Sequence, residues 1–267
     1  MSRPRATRLQ DHMRAIEADV WVLTETHPHV ALDSTHRLAA SSSPASDRSG
    51  DERWVTIWVR MDLDATSCPT TDLERTACAR WSSIHGATWY VYGTVLPWHS
   101  DKRRQPIAGE LPFIAALKEQ ESDWASIRDT DPKARLLVAG DFNQDLLDEG
   151  HYYGSRSRRR ALQAALDRTG LTCVTGGTTD PVARQISGHA SVDHVCIPRD
   201  SSITVTGMTV WPSTEQLRRG LSDHFGVTVS LNVATMRCNE QLRVSRPVLP
   251  PPPFHPPCTG RASLRRR

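Results

Sequence analysis

Four short segments place acidic or histidine side chains where apolar runs stop: Glu25 after VWVLT, Asp141 and Asn143 after LLVAG, Asp193 and His194 within SVDHV, and Asp223 and His224 ahead of FGVTV. A single acid at a strand end is most often a loop or cap residue. Four have a different implication, because strand ends in layered α/β proteins converge on one rim. Glu25, Asp141, Asp193 and Asp223 gathered there would concentrate negative charge that has to be neutralised, and a hard divalent cation does this. Carboxylates and an amide oxygen suit Mg²⁺ or Mn²⁺, whereas zinc asks for more His and Cys. His224 adds a group that titrates near neutrality, and Asp193 is the type of residue that fixes an imidazole's tautomer and stabilises its protonated form. A metal with a His–Asp pair suits hydrolysis of a phosphate ester. Asp141 would orient or deprotonate the attacking water, and Asn143 would hydrogen-bond the phosphate.

Those residues need elements to carry them. Residues 5–18 put Leu9, Met13 and Ile16 at helical spacing and lead into the β-branched, apolar run DVWVLTE. Residues 33–53 are Ser-rich, charged and aperiodic, which predicts a surface loop. Strands are expected at 54–61 and 87–96, separated by TSCPTT and a short polar segment. A helix over 106–128 would turn Phe113, Leu117, Trp124 and Ile127 to the core. The strand 135–139 runs into GDFNQD, and a helix over 156–170 ends at Gly170. The segments 191–198, 202–212 and 225–231 alternate in the strand period, so the last third is β-rich.

Length and composition bound the fold. A chain of 267 residues, 38% hydrophobic, can bury a full core. The formal charge of +3 misleads: residues 236–267 hold seven Arg against the single acid Glu240, so that tail carries +6 and leaves −3 for the rest. Seven Pro, with the run Pro250 to Pro253, predict a disordered tail after a domain spanning residues 1–235. No stretch is long and apolar enough to span a membrane and the N-terminus lacks a signal-peptide core, so the default is a soluble, cytoplasmic monomer without membrane association. The six Cys include no CxxC pair and are expected as free thiols.

In order and spacing, DVWVLTET (19–26), AGDFNQD (139–145), SVDHV (191–195) and LSDHFGV (221–227) resemble the endonuclease/exonuclease/phosphatase superfamily, which includes DNase I, AP endonucleases, sphingomyelinases and inositol polyphosphate 5-phosphatases. The resemblance covers residues 5–231. It implies a four-layered α/β sandwich, two mostly antiparallel sheets packed face to face with helices outside, and a Mg²⁺-dependent phosphodiesterase or phosphatase site at one edge. Glu25 would ligate the metal, Asp141 activate water, Asn143 contact phosphate, Asp193 orient His224, and His224 be the catalytic histidine. Asp223 would assist at the metal or at that His.

Two departures from the family pattern stand out. Members open with a central strand carrying an Asn near the metal, immediately before the helix that here begins near Arg5; either the true start lies upstream of Met1 or the chain is truncated and the site lacks a ligand. Members also carry a Tyr or His just before a Pro, where this chain has Thr94 and Val95 before Pro97. That contact is absent or replaced by Tyr92 or His99.

Other residues attract attention and carry less. His27, His29 and His36 sit in one loop, which reads as a solvated rim, with His27 placed to touch substrate. The run SRSRRR (155–160) is basic, and Arg156 is its candidate phosphate contact, although the same run opens an amphipathic helix. Of the eight Trp, most read as core, and Trp98 is the candidate for stacking on a base. The leading expectation is a metal-dependent hydrolase of phosphoesters, an endonuclease or exonuclease acting on DNA or RNA. The rivals are a phosphatase or lipid phosphodiesterase of the same superfamily, and a truncated, catalytically inactive binding module.

Overall fold

The computed structural model describes residues 3–46, 50–83, 86–98, 101, 111–200, 202–214, 218 and 221–233. Tail residues 236–267 and His99 lie outside them.

Four layers stack from one side to the other. Helix α1 (Arg3–Ile16) lies over strands β1 (Val20–Thr26) and β3 (Arg53–Arg60), where Ala6 and Met13 meet Trp21 and Trp58. On the other face of that sheet, Val55, Ile57 and Val59 pack against Ala77, Ala79 and Val91 of a larger sheet. The far face of the larger sheet is covered by α2 (Pro112–Thr130) and α3 (Arg156–Arg168), whose Phe113, Leu117, Trp124, Leu162 and Leu166 close on Tyr92, Leu136 and Val138. Apolar residues at helical spacing in α2 and α3, and strands apolar on both faces in the middle, require this order of layers. Gly93 lets the sheets approach: a Cβ there would stand 2.5 Å from Val55 Cγ1 and 3.0 Å from Val22 Cγ1.

The larger sheet contains β4 (Thr66–Cys68), β5 (Thr76–Ser82), β6 (Thr88–Val95), β7 (Arg135–Asp141), β8 (Leu171–Cys173) and β9 (Asp193–Pro198), in the order β4-β5-β6-β7-β9-β8. Only β6 and β7 run parallel, joined by the crossover through α2. The short helix α4 (Pro181–Gln185) precedes β9.

The opposing layer comes in two pieces. Strands β1, β3 and β2 (His36–Ser41) form one, and β10 (Ile203–Trp211) with β11 (Gly226–Val233) forms the other. β1 packs over β6 and β7, and β11 over β9. Because β7 and β9 are neighbours, the outer edges of β1 and β11 flank a place above that junction, where no described strand pairs with either. The floor includes Leu137, Ala139 and Val195, which are half-buried, whereas Val91, Val95 and Ile197 in the same sheet are buried.

The 33–53 segment is a correction to the expected loop: β2 forms within it and pairs along β3 from His36↔Arg60 to Ser41↔Thr56. The polar stretch after residue 65 likewise contains β4 and β5. Among the described residues no helix is long and apolar enough to cross a membrane.

Candidate functional site

Three of the expected residues converge. One ligand atom from each of Asp141, Asp193 and His224 lies within 4.8 Å of the other two, the one such His/Cys/Asp/Glu group of three or more among the described residues. Asp141 ends β7 and Asp193 starts β9, and the antiparallel register sets their Cα atoms directly opposite each other. His224 stands two residues before β11 and brings its Nδ1 to 2.7 Å from Asp193 Oδ2. The larger sheet thus supplies the two carboxylates and the β10–β11 pair supplies the imidazole.

Local sequence explains the geometry. Gly140 has φ +134°, and a Cβ there would lie 2.1 Å from the Thr94 carbonyl oxygen, so only glycine lets β7 turn Asp141 inward against β6. Asp141 then accepts hydrogen bonds from the Asn143 backbone N–H at 2.8 Å and from its side-chain Nδ2 at 2.7 Å. Asn143, at φ +48°, also donates from Nδ2 to the Leu96 carbonyl at 2.9 Å. On the approach to β9, buried Asp180 caps α4 through the Val182 and Ala183 N–H groups and holds Ser191 by its N–H at 2.9 Å and its hydroxyl at 2.8 Å. Asp193 is delivered two residues later.

Electrostatics follow from burial and crowding. Asp141 is only 2% exposed, and burial first, then the Asp193 charge, pushes its carboxyl up to about 8. His224 is pushed up to about 10, chiefly by the Asp193 charge and also by the hydrogen bond between them. Like charges opposed across strands destabilise a sheet. His224 offsets part of this; these two carboxylates and the imidazole form a group that could hold a metal ion, whereas Glu25 and Asp223, the expected ligands, lie outside it.

The remaining expected residues are placed as follows. Glu25 is next to last in β1, with φ +51°; it is exposed, outside the three-residue cluster, yet close enough that its charge adds to the burial that raises Asp141. Asp223 is exposed beside His224, which its charge also raises. His194 points away, with Nε2 2.9 Å from the Gln144 carbonyl oxygen and Nδ1 3.2 Å from Thr175 Oγ1. Arg156 is exposed at the first turn of α3 but does not line the cleft at this site. Its neighbours in the basic run are structural: Arg158 is buried over the Phe113 ring, and Arg159 pairs with Asp145. Trp98 does not line the cleft either, because its ring packs 5.9 Å from that of Trp54, with the Arg75 guanidinium over it. Tyr92 is buried and donates its hydroxyl to Asp123 at 2.8 Å, so it replaces no phosphate contact. His36 bonds Ala18 O through Nε2 at 2.7 Å.

The cleft beside the cluster has a volume of about 200 Å³ and includes residues not anticipated from sequence: Tyr152, Tyr153, His189, Arg218 and Phe225. The dipeptide Tyr152-Tyr153 in a polar loop just after GDFNQD was the available signal.

A profile described as Endonuclease/Exonuclease/phosphatase family matches residues 2–224. No curated protein sequence matches the chain. Among solved structures, the human nocturnin catalytic domain with bound sulfate superposes with a TM-score of 0.58 at 12% identity, covering 88% of each chain. The endonuclease domain of TRAS1, a telomere-specific non-LTR retrotransposon, gives 0.57 at 17%, covering 86% of this chain and 92% of that one. TDP2 from D. rerio complexed with a single-strand DNA product gives 0.54 at 16%, with the same two coverages. At these identities the likeness is one of fold.

Proposed function

The chain belongs to the endonuclease/exonuclease/phosphatase family, and on that premise we propose that it is a hydrolase of phosphoester bonds, dependent on Mg²⁺ or Mn²⁺, acting on a phosphodiester of DNA or RNA. The supporting observation is the meeting of Asp141, Asp193 and His224 within 4.8 Å, at the rim that also carries Glu25 and Asp223. Asp141 and Asp193 would hold the cation, with Glu25 and Asp223 adding negative charge at the rim. When bound, the cation would polarise a phosphoryl oxygen.

The protein's own groups account for the proton chemistry. Asp141 would orient the attacking water and take its proton. Asn143 holds that carboxylate through two hydrogen bonds and, with its other amide hydrogen on the Leu96 carbonyl, positions Asp141 in place of the expected contact to phosphate. Asp193 occupies His224 Nδ1, so the imidazole stays protonated and presents Nε2 as a donor to the phosphoryl group or its leaving oxygen.

The test is hydrolysis of plasmid DNA, RNA oligonucleotides and a small phosphodiester with Mg²⁺ or Mn²⁺. The expected outcome is cation-dependent cleavage that falls by about two orders of magnitude or more in His224→Ala and in Asp141→Ala. Activity unchanged in either variant overturns the site, and no hydrolysis of any substrate with either metal favours an inactive binding module.

A further inference from the structure

Among the described Phe, Tyr and Trp residues only Tyr152 and Tyr153 are exposed, at 43% and 39%, and both line the cleft at the catalytic cluster. Their exposure is built in. The fully buried Asp145 carboxylate accepts the Tyr152 N–H at 2.9 Å and the Tyr153 N–H at 2.7 Å, and is itself paired with Arg159. The Tyr153 carbonyl is held in turn by the Asp145 N–H at 3.1 Å and by Gln144 Nε2 at 3.0 Å. A buried anion and a buried amide are thus committed to presenting two rings to solvent.

The rings continue into a wall. Tyr152 lies 5.8 Å from His189, and His189 lies 5.5 Å edge-on to Phe225, the residue after His224. At the other end the Tyr153 phenol is raised by burial first and then by the charge of nearby Asp141. We propose that Tyr152, Tyr153 and His189 form a nucleobase subsite beside the reacting phosphate, which selects a nucleic-acid strand with an unpaired base. Every nucleobase offers a π-face to such a wall, and bases within a duplex do not, so the strand enters single or with the base turned out. A polyphosphorylated inositol would call for several cations, and the only Lys or Arg among the described lining residues is Arg218.

This inference rests on the hydrolase reading of the same site, so its test is a binding measurement that needs no turnover. Fluorescence anisotropy in EDTA compares a short single-stranded oligothymidylate with an abasic strand of the same length and charge. The expected result is a preference for the base-bearing strand on the order of ten-fold, abolished in Tyr152→Ala and kept in Tyr152→Phe, which preserves the ring. Equal affinity of the unaltered protein for both strands, or a preference that survives Tyr152→Ala, overturns it. If the preference is found but no substrate is cleaved with any metal, the subsite stands and the hydrolase reading falls.

Discussion

At the scale of single residues, the site is a set of protons held against solution preference. Both Asp141 and His224 bind protons more tightly in the folded chain than in the unfolded one, at about 8 and about 10 against 3.8 and 6.5. A raised group stabilises the fold fully below its unfolded value and loses that contribution as pH rises through its folded value. The metal-free protein therefore loses the Asp141 contribution between pH 3.8 and about 8 and the His224 contribution between 6.5 and about 10. Thermal melts in EDTA at a series of pH values should show Tm falling as pH rises from about 6.5 to 9, more shallowly in His224→Gln. A flat profile would refute the coupling of His224 to Asp193. These residues were legible in the sequence because their signal is local: a polar pair against an apolar run. Tyr152, Tyr153 and His189 were not, since their meaning depends on a turn held by Asp145 from within the core. Trp98 misled for the converse reason, its packing on Trp54 being a contact across 44 positions that no window reveals.

At the scale of elements, periodicity located the long helices and strands, and it failed where burial came from partners. β2, HRLAAS, has small residues and no clear alternation, and it is a strand because β3 offers it a ladder. β4 and β8 are three residues each, too short for any pattern. The turn at the end of β7 depends on Gly140, whose added Cβ would meet backbone at a positive φ, whereas at Gly93 it would meet the ends of Val side chains. Gly140→Ala should cost about 3 kcal/mol or more, and Gly93→Ala about 1–3 kcal/mol. Urea denaturation at constant slope measures both, and a Gly140→Ala cost no greater than that of Gly93→Ala would show that the chain can relax around the Thr94 carbonyl.

At the scale of the whole molecule, the four layers were readable from the order of elements together with the family resemblance, while the division of the smaller layer required coordinates. β10 and β11 hydrogen-bond only each other among the described strands, and packing alone attaches them to β9 and α4. Amide hydrogen exchange should therefore release β10 and β11 well before β6 and β7, which are paired on both sides. Equal protection would mean that the smaller layer is continuous in solution. His224 stands just ahead of β11 and Asp193 begins β9, so the pair spans the two pieces. The register that sets Asp141 opposite Asp193 has a last consequence, for evolution. On the proposed reading, a chain selected only for heat resistance would do well to neutralise Asp141, and would lose hydrolysis in doing so. On that reading, two acids kept face to face answer to a substrate before the durability of the fold.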